Sequence, residues 1–454
     1  MRLLDALFRS KTMEQVLSDD SFLKRMLEVE AALAGAEAET GLIPHAAAKC
    51  IVSCCILENL DLEALARDAK RSGNIAIPLM MQLTEAVSAQ DPEAAKFVHW
   101  GATSQDVIDT AVVLQTREAL SLLLQDIESA CSALRSLTER HRNTIMPGRT
   151  WMQHAVPITF GLKTAYMLSA LHRQSLEVRS AVASVSVLQF GGAAGTLASL
   201  GDDGLRVAGV MAERLKLKTP SHPWHSHRAP IAEVATALGV LCGVLGKIAR
   251  DVALMCQTEV AEVSETNEKE RGGSSTMPQK NNPVQCAAIL ANVTRIPGLV
   301  STVLSAMVQE HERGLGGWHA EWETLPEIVS LSAGAAERLA ELLSSLQVDM
   351  GRMRKNVDLT KGLVFAEAIS TALSHKVGKS TAHAIVEHAA KKARGEDRSF
   401  AVVLRESDDV KRHLSEKELL ELFRPENYLG SAQEFIDRVL AECGKAAEVS
   451  DAIC

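Results

Sequence analysis

Aromatic side chains are scarce in this chain of 454 residues. Phe, Trp and Tyr together make up 4% of it. Sandwiches and barrels fill their cores with rings and β-branched side chains, so this scarcity works against both. The abundance of Ala, Leu, Glu and Lys favours helices packed on helices. A surplus of positive charge is also missing. The net charge is −9, which disfavours nucleic acid and anionic membrane as partners and leaves an anionic ligand dependent on a local cationic pocket. The nine cysteines lack a pattern: only Cys54 and Cys55 are adjacent, and no C-x-x-C spacing occurs. That argues against a disulfide framework or a zinc site and for a reducing compartment. Long apolar runs are absent too. The longest, around Val234 to Gly246, is too short to span a bilayer and contains Thr236. The start, Met1 to Arg9, is broken by Asp5 and Arg9 and makes a poor signal peptide. The expectation is a soluble cytoplasmic protein.

What the chain does have is long helical periodicity. Leu114, Leu120, Leu123, Leu124, Ile127, Cys131, Leu134 and Leu137 recur at three- and four-residue steps inside a proline-free segment from Val112 to His141. Ile231 to Val263, Val284 to Glu310 and Pro326 to Met350 read as three more long helices, with Pro297 as a kink. The second and fourth of these segments are apolar on more than one face. Such helices want neighbours on several sides, which predicts oligomerisation. No alternation typical of strands and no repeat of 20–50 residues is present. The expected fold is all-α with three helical domains: residues 1–98, a central long-helix bundle over 99–350, and a C-terminal domain over 351–454.

The densest chemistry lies in Gly272-Gly273-Ser274-Ser275-Thr276-Met277-Pro278-Gln279-Lys280-Asn281-Asn282-Pro283. Two glycines free the backbone, two hydroxyls follow, and a lysine and an amide precede a proline where a helix can begin. Unpaired N–H groups and the helix dipole at that end suit a carboxylate. A plain Gly/Ser linker has no need of Met-Pro-x-Lys-x-Asn-Pro. Three further blocks carry polar groups: His99-x-Gly101-Ala102-Thr103-Ser104-Gln105-Asp106, then Gly148 to Pro157, then Gln309 to Leu315 followed by Leu325-Pro326. In the first, Thr103 and Ser104 can donate to a carboxylate while Asp106 can cap the next helix. No acidic or histidine cluster has metal-ligand spacing, so neither a metal nor another cofactor is expected.

The loop from Gly273 to Pro283 resembles the signature loop of the fumarase/aspartase superfamily, G-S-S-x-M-P-x-K-x-N-P. The three other blocks fit the same superfamily in the same order, and Asn356 to Leu363 extends the likeness toward the C-terminus. The resemblance implies an all-helical homotetramer whose active sites are shared between subunits, a small polycarboxylate substrate, and a carbanion stabilised beside a carboxylate. It implies Ser274 as the catalytic serine, with Ser275 as neighbour, and Lys280 and Asn282 as ligands of the carboxylate that becomes enediolate-like, Lys280 also being a candidate proton donor. His99, Thr103, Ser104, Trp151, Gln153, Arg228 and Arg313 are the expected remaining substrate contacts.

Two departures narrow the reading. Fumarate-releasing members carry a histidine after the threonine of the second block, and that histidine is often the general acid; here Trp151 follows Thr150. An indole N–H cannot shuttle a proton at neutral pH. His154, three residues on, either replaces the acid or is an ordinary binding or packing histidine. In the third block the run Trp318-His319-Ala320-Glu321-Trp322 stands where adenylosuccinate lyases hold a nucleotide phosphate. Trp100, Trp151, Trp318 and Trp322 fall in or beside these blocks, and Trp224 precedes Arg228 where the resembling lyases carry a Gln before an Arg, which suggests indoles that shrink the pocket around a small planar anion. These features resemble the cycloisomerase branch of the superfamily, whose members lactonise a carboxymuconate. The alternatives are an adenylosuccinate lyase-like enzyme that releases fumarate, and a helical scaffold without activity.

Overall fold

The computed structural model describes residues 3–265, 272–273, 276–277 and 280–450, with side chains to residue 444. Ser274, Ser275, Pro278 and Gln279 of the signature loop therefore lie outside the described residues. The all-α expectation holds. Five helices exceed 20 residues beyond the N-terminal Asp19–Glu39: Ser104–Arg140, Phe160–Val185, Ala229–Met255, Val284–Ala306 and Gly317–Ser345. The 37-residue Ser104–Arg140 helix is about 55 Å long at 1.5 Å per residue. At its start the Thr103 N–H donates to Asp106 Oδ2 at 3.1 Å. Pro297 sits inside Val284–Ala306, which runs through it.

One compact unit comprises residues 1–127, 174–246 and 288–338. In it, helix Asp19–Glu39 packs on His45–Cys54 and Gly204–Leu215. Ser18 caps that helix by accepting from the Ser21 N–H, and Asp19 and Asp20 favour its positive end. Its buried stripe, Leu23, Met26, Leu27, Leu33 and Ala34, also includes two acids seven residues apart, Glu30 and Glu37, both fully buried.

The second unit comprises 128–173, 247–287 and 339–454. Its core joins Ile145, Val357, Phe365, Ile369, Leu373, Phe400 and Leu404. It also holds what periodicity hid, an antiparallel hairpin of β1 (Ile145–Thr150) and β2 (Gln153–Thr159). Pro147 faces Pro157, and the register shifts between Pro147 and Arg149. Two prolines cannot donate to the ladder, and the first four residues of β1 are all buried, so no in–out alternation marks the strand. A second two-stranded sheet pairs β3 (Val263–Ser264) with β4 (Gln347–Val348).

Two helices are long and apolar enough to cross a membrane by length and composition. In Ala229–Met255 half of the most apolar window is buried within the chain; in Val284–Ala306 the share is 28%.

Candidate active site

In the first unit, the turn before Ser104 is held from beneath by Asp106. This carboxylate is fully buried. Its Oδ1 accepts from the Gly191 N–H at 3.0 Å and contacts His225 Nε2 at 2.7 Å, and its Oδ2 accepts from the Gly192 N–H at 2.9 Å. A residue expected only to cap a helix thus fixes three segments at once. Gly101, at φ +74°, could carry no side chain, because a Cβ there would lie 2.4 Å from Leu200.

On the outer side of this turn, Arg313 Nη1 donates to Thr103 Oγ1 at 2.8 Å, and its Nη2 donates to the Gly192 and Ala193 carbonyls at 3.3 and 3.0 Å. Thr103 and Arg313, predicted from separate blocks, are therefore brought together, with half-exposed Ser104 beside Thr103. His99, at φ +58°, holds Nδ1 2.6 Å from Glu30 Oε1. Burial disfavours its charge, but Glu30, by charge and hydrogen bond, and then Asp106 outweigh it, and the imidazole pKa is raised.

Arg228 corrects the sequence reading. Expected to hold a substrate carboxylate, it is 2% exposed and spends its guanidinium on two carboxylates of its own chain. Nη1 and Nη2 meet Asp109 at 2.6 and 3.0 Å, and Nε and Nη2 meet Glu321 at 2.6–3.1 Å. A buried guanidinium must be paired, and these partners do so. Its carbon also lies 4.8 Å from the Trp224 ring centroid. Trp318 Nε1 donates to Asp109 Oδ1 at 2.9 Å, and Trp224 Nε1 to the Leu188 carbonyl at 3.0 Å. Those two indoles are satisfied core residues, not pocket walls. Trp322 differs: its buried Nε1 has no partner among the described residues.

In the second unit, Trp151 and Met152 form the two-residue turn between Thr150 and Gln153. Both have positive φ, 50° and 65°, the pairing of a type I′ turn that favours Asn-Gly. Bulky residues there are strained, and Trp151 is 96% exposed. The hairpin base is firm. Arg149 makes a two-pronged pair with Glu262 at 2.6 and 2.8 Å, and Asn356 Nδ2 donates to the same carboxylate at 2.9 Å. Exposed Gln153 reaches only the Met152 carbonyl, at 3.3 Å. His154 is half-buried, and its Nδ1 has no partner among the described residues. Burial, then the charge of Arg149, lowers its pKa against a smaller opposing pull from Glu262, so it stands neutral at neutral pH.

The signature loop closes on itself. Asn282 donates its backbone N–H and its Nδ2 to the Gly272 carbonyl at 2.9 and 3.0 Å. Lys280 is exposed. The helix N-terminus behind the loop is already filled: buried Glu265 accepts from the Gln285 and Cys286 N–H groups at 3.0 and 2.9 Å. The anion cradle expected for a substrate is thus occupied by the chain's own carboxylate, which satisfies the orphan N–H groups and the dipole. Among the described residues no three His, Cys, Asp or Glu side chains converge as a metal site.

Sequence reasoning missed Glu30, Asp109, Glu321 and Glu265. Glu30 left a signal, an acid on the apolar stripe of a helix with a second acid seven residues on. The other three left none, because their partners are distant in sequence or are backbone groups.

An all-helical chain with these ordered blocks matches a family model described as "Lyase" over residues 7–298, and one described as "Adenylosuccinate lyase C-terminus" over 362–439. The chain belongs to this lyase family of the fumarase/aspartase superfamily. Within it, the chain is 49% identical to a 3-carboxy-cis,cis-muconate cycloisomerase of Bradyrhizobium diazoefficiens, covering 96% of this chain and 97% of that protein. It is 49% identical to the enzyme of the same name from Pseudomonas aeruginosa, covering 97% and 96%. The crystal structure of the 3-carboxy-cis,cis-muconate lactonizing enzyme from Pseudomonas putida superposes with a TM-score of 0.93 at 44% identity, covering 98% of this chain and 99% of that one.

Proposed function

We propose that the protein lactonises 3-carboxy-cis,cis-muconate to 4-carboxymuconolactone in protocatechuate (beta-ketoadipate) degradation, as an intramolecular lyase. The observation that carries this is Trp151, standing where fumarate-releasing members hold a histidine, in a chain half-identical over nearly its whole length to proteins named for that reaction. One substrate carboxylate adds to a double bond of the same molecule. The nucleophile belongs to the substrate, so the enzyme must fold it, steady the charge that develops beside a second carboxylate, and see one proton delivered.

Lys280 is assigned to that developing charge, where a fixed donor lowers a barrier by about 3 kcal/mol. Ser274, with Ser275 beside it, is assigned the acid–base work of the loop. Asn282 shapes the loop through Gly272. Thr103, Ser104 and Arg313 are assigned to a second carboxylate, and Gln153 and His154 to substrate contact. The reaction calls for neither metal nor organic cofactor. A homotetramer with shared sites, acting in the cytoplasm, fits the exposed Trp151, Val240, Leu304 and Val308.

The test is ultraviolet absorbance of the conjugated diene. Purified protein is expected to abolish it on mixing with 3-carboxy-cis,cis-muconate. Unchanged absorbance, together with fumarate formed from adenylosuccinate, would overturn the reading in favour of the lyase alternative.

A further inference from the structure

Helix Asp19–Glu39 carries two carboxyls on its buried face. Glu30 is fully buried; its Oε1 lies 2.6 Å from His99 Nδ1, and its Oε2 has no partner among the described residues. Glu37, two turns further on, is also fully buried, and neither of its oxygens has a partner among the described residues. Two carboxylates on one dry helix face cannot both stay charged at low cost. Burial, then the charge of Glu30, pushes the Glu37 carboxyl up to about 9. Glu37 thus holds its proton at neutral pH.

Among the described residues, the cationic partner that meets Glu30 is His99. The His99 side chain is 21% exposed, and no described residue engages its Nε2. The backbone sits in the left-handed region at φ +58°, a costly place for histidine that presents the ring from the turn bearing Thr103 and Ser104. The charged groups acting on the ring are Glu30 from the helix beneath and Asp106 from helix Ser104–Arg140. The Cys55 thiol near Glu30 is pushed far up by burial and stays neutral.

We propose that Glu30 is a positioning residue: it fixes His99 with Nδ1–H inward and keeps the ring cationic, so that Nε2–H serves as a charged donor for one carboxylate of the substrate. This inference rests on the polycarboxylate reading above and adds to it a charge state, an orienting partner and a pH dependence. A buried Glu30 carboxylate left alone would repel a polyanion; joined to an imidazolium it presents a neutral pair whose outer end donates. The sign follows. Below the raised His99 pKa the ring is charged and an anion is held; as pH rises through that value the ring loses its charge and binding weakens. With Glu30 replaced by Gln, burial is opposed only by the weaker pull of Asp106, and the loss moves to lower pH.

The test compares Glu30→Gln, His99→Gln and the double variant with the unaltered protein. Each is followed by thermal melting, by steady-state kinetics on 3-carboxy-cis,cis-muconate, and by calorimetric binding of tricarballylate, a saturated tricarboxylate that cannot react, at pH 6, 7.5 and 9. Glu30→Gln is expected to raise KM and the tricarballylate Kd about tenfold at pH 7.5, with kcat changed less than threefold. The double variant should be no worse than His99→Gln. Nitrogen NMR of labelled histidine should show His99 titrating above its ordinary range in the unaltered protein and below it in Glu30→Gln. Equal titration in both, unchanged KM and Kd, or full additivity in the double variant would each overturn the proposal. If tricarballylate and the titration behave as stated while the diene is never consumed, the pair stands and the lactonisation reading falls.

Discussion

The two compact units hold their polar residues in opposite ways. In the first, charged groups from distant segments are buried and spent on each other: Arg228 on Asp109 and Glu321, and Asp106 on three backbone N–H groups and His225. In the second, the residues expected to touch substrate stand out in the open: Trp151 at the hairpin tip, Gln153 beside it and Lys280 on the loop. The first arrangement builds a rigid turn from which Thr103, Arg313 and His99 project. The second stores strain and exposed apolar surface on short segments clamped at their bases by Arg149–Glu262 and Asn282–Gly272. A preorganised group of residues and a presented one call for different experiments.

The largest expected effect falls on the buried half. Arg228→Ala leaves Asp109 and Glu321 buried without their cation and should destabilise the protein by about 3–5 kcal/mol, seen as a lower melting temperature or loss of soluble protein. An unchanged melting temperature would mean that the network is hydrated. Lys280→Ala is the counterpart on the presented half. It should lower kcat roughly a hundredfold while leaving thermal unfolding unaltered, because the ammonium has no partner among the described residues. Near-normal turnover would remove Lys280 from the mechanism.

A smaller effect separates the units through pH. Burial, then the charge of Glu30, holds the Glu37 carboxyl at about 9 in the fold, well above its ordinary value of 4.5. The folded state then binds the extra proton between those two pH values, so stability falls as pH rises across that window. Glu37→Gln should flatten this slope and add on the order of 2 kcal/mol at pH 8, read by denaturant melts at pH 5 and pH 8. The smallest effect is at the hairpin tip. Replacing Trp151 by Asn and Met152 by Gly fits the type I′ turn and should stabilise the hairpin by about 1 kcal/mol, while activity drops if the exposed indole completes a site. A gain in stability without loss of activity would show the tip to be idle.

Much of this was legible beforehand. The long helices follow from three- and four-residue spacing over proline-free segments, whereas the bond between Thr103 and Arg313, 210 residues apart, had no signal beyond both residues standing in blocks of one resemblance. The hairpin was not, because Pro147, Gly148 and Pro157 erase the alternation that marks strands. Arg228 was misread, since a sequence gives a charge but not the two acids 119 and 93 residues away that neutralise it. The helix end behind the signature loop was misread for a similar reason: an unpaired terminus attracts any carboxylate, and Glu265, 20 residues earlier, reaches it from within the chain.

The central claim is that the substrate attacks itself and the protein adds one proton without releasing a fragment. The measurement that tests it most directly is mass spectrometry of the product formed from 3-carboxy-cis,cis-muconate in heavy water. The account predicts a single lactone that gains one carbon-bound deuterium and no second product. Fumarate or any other cleaved acid among the products, or a lactone without deuterium, would contradict it.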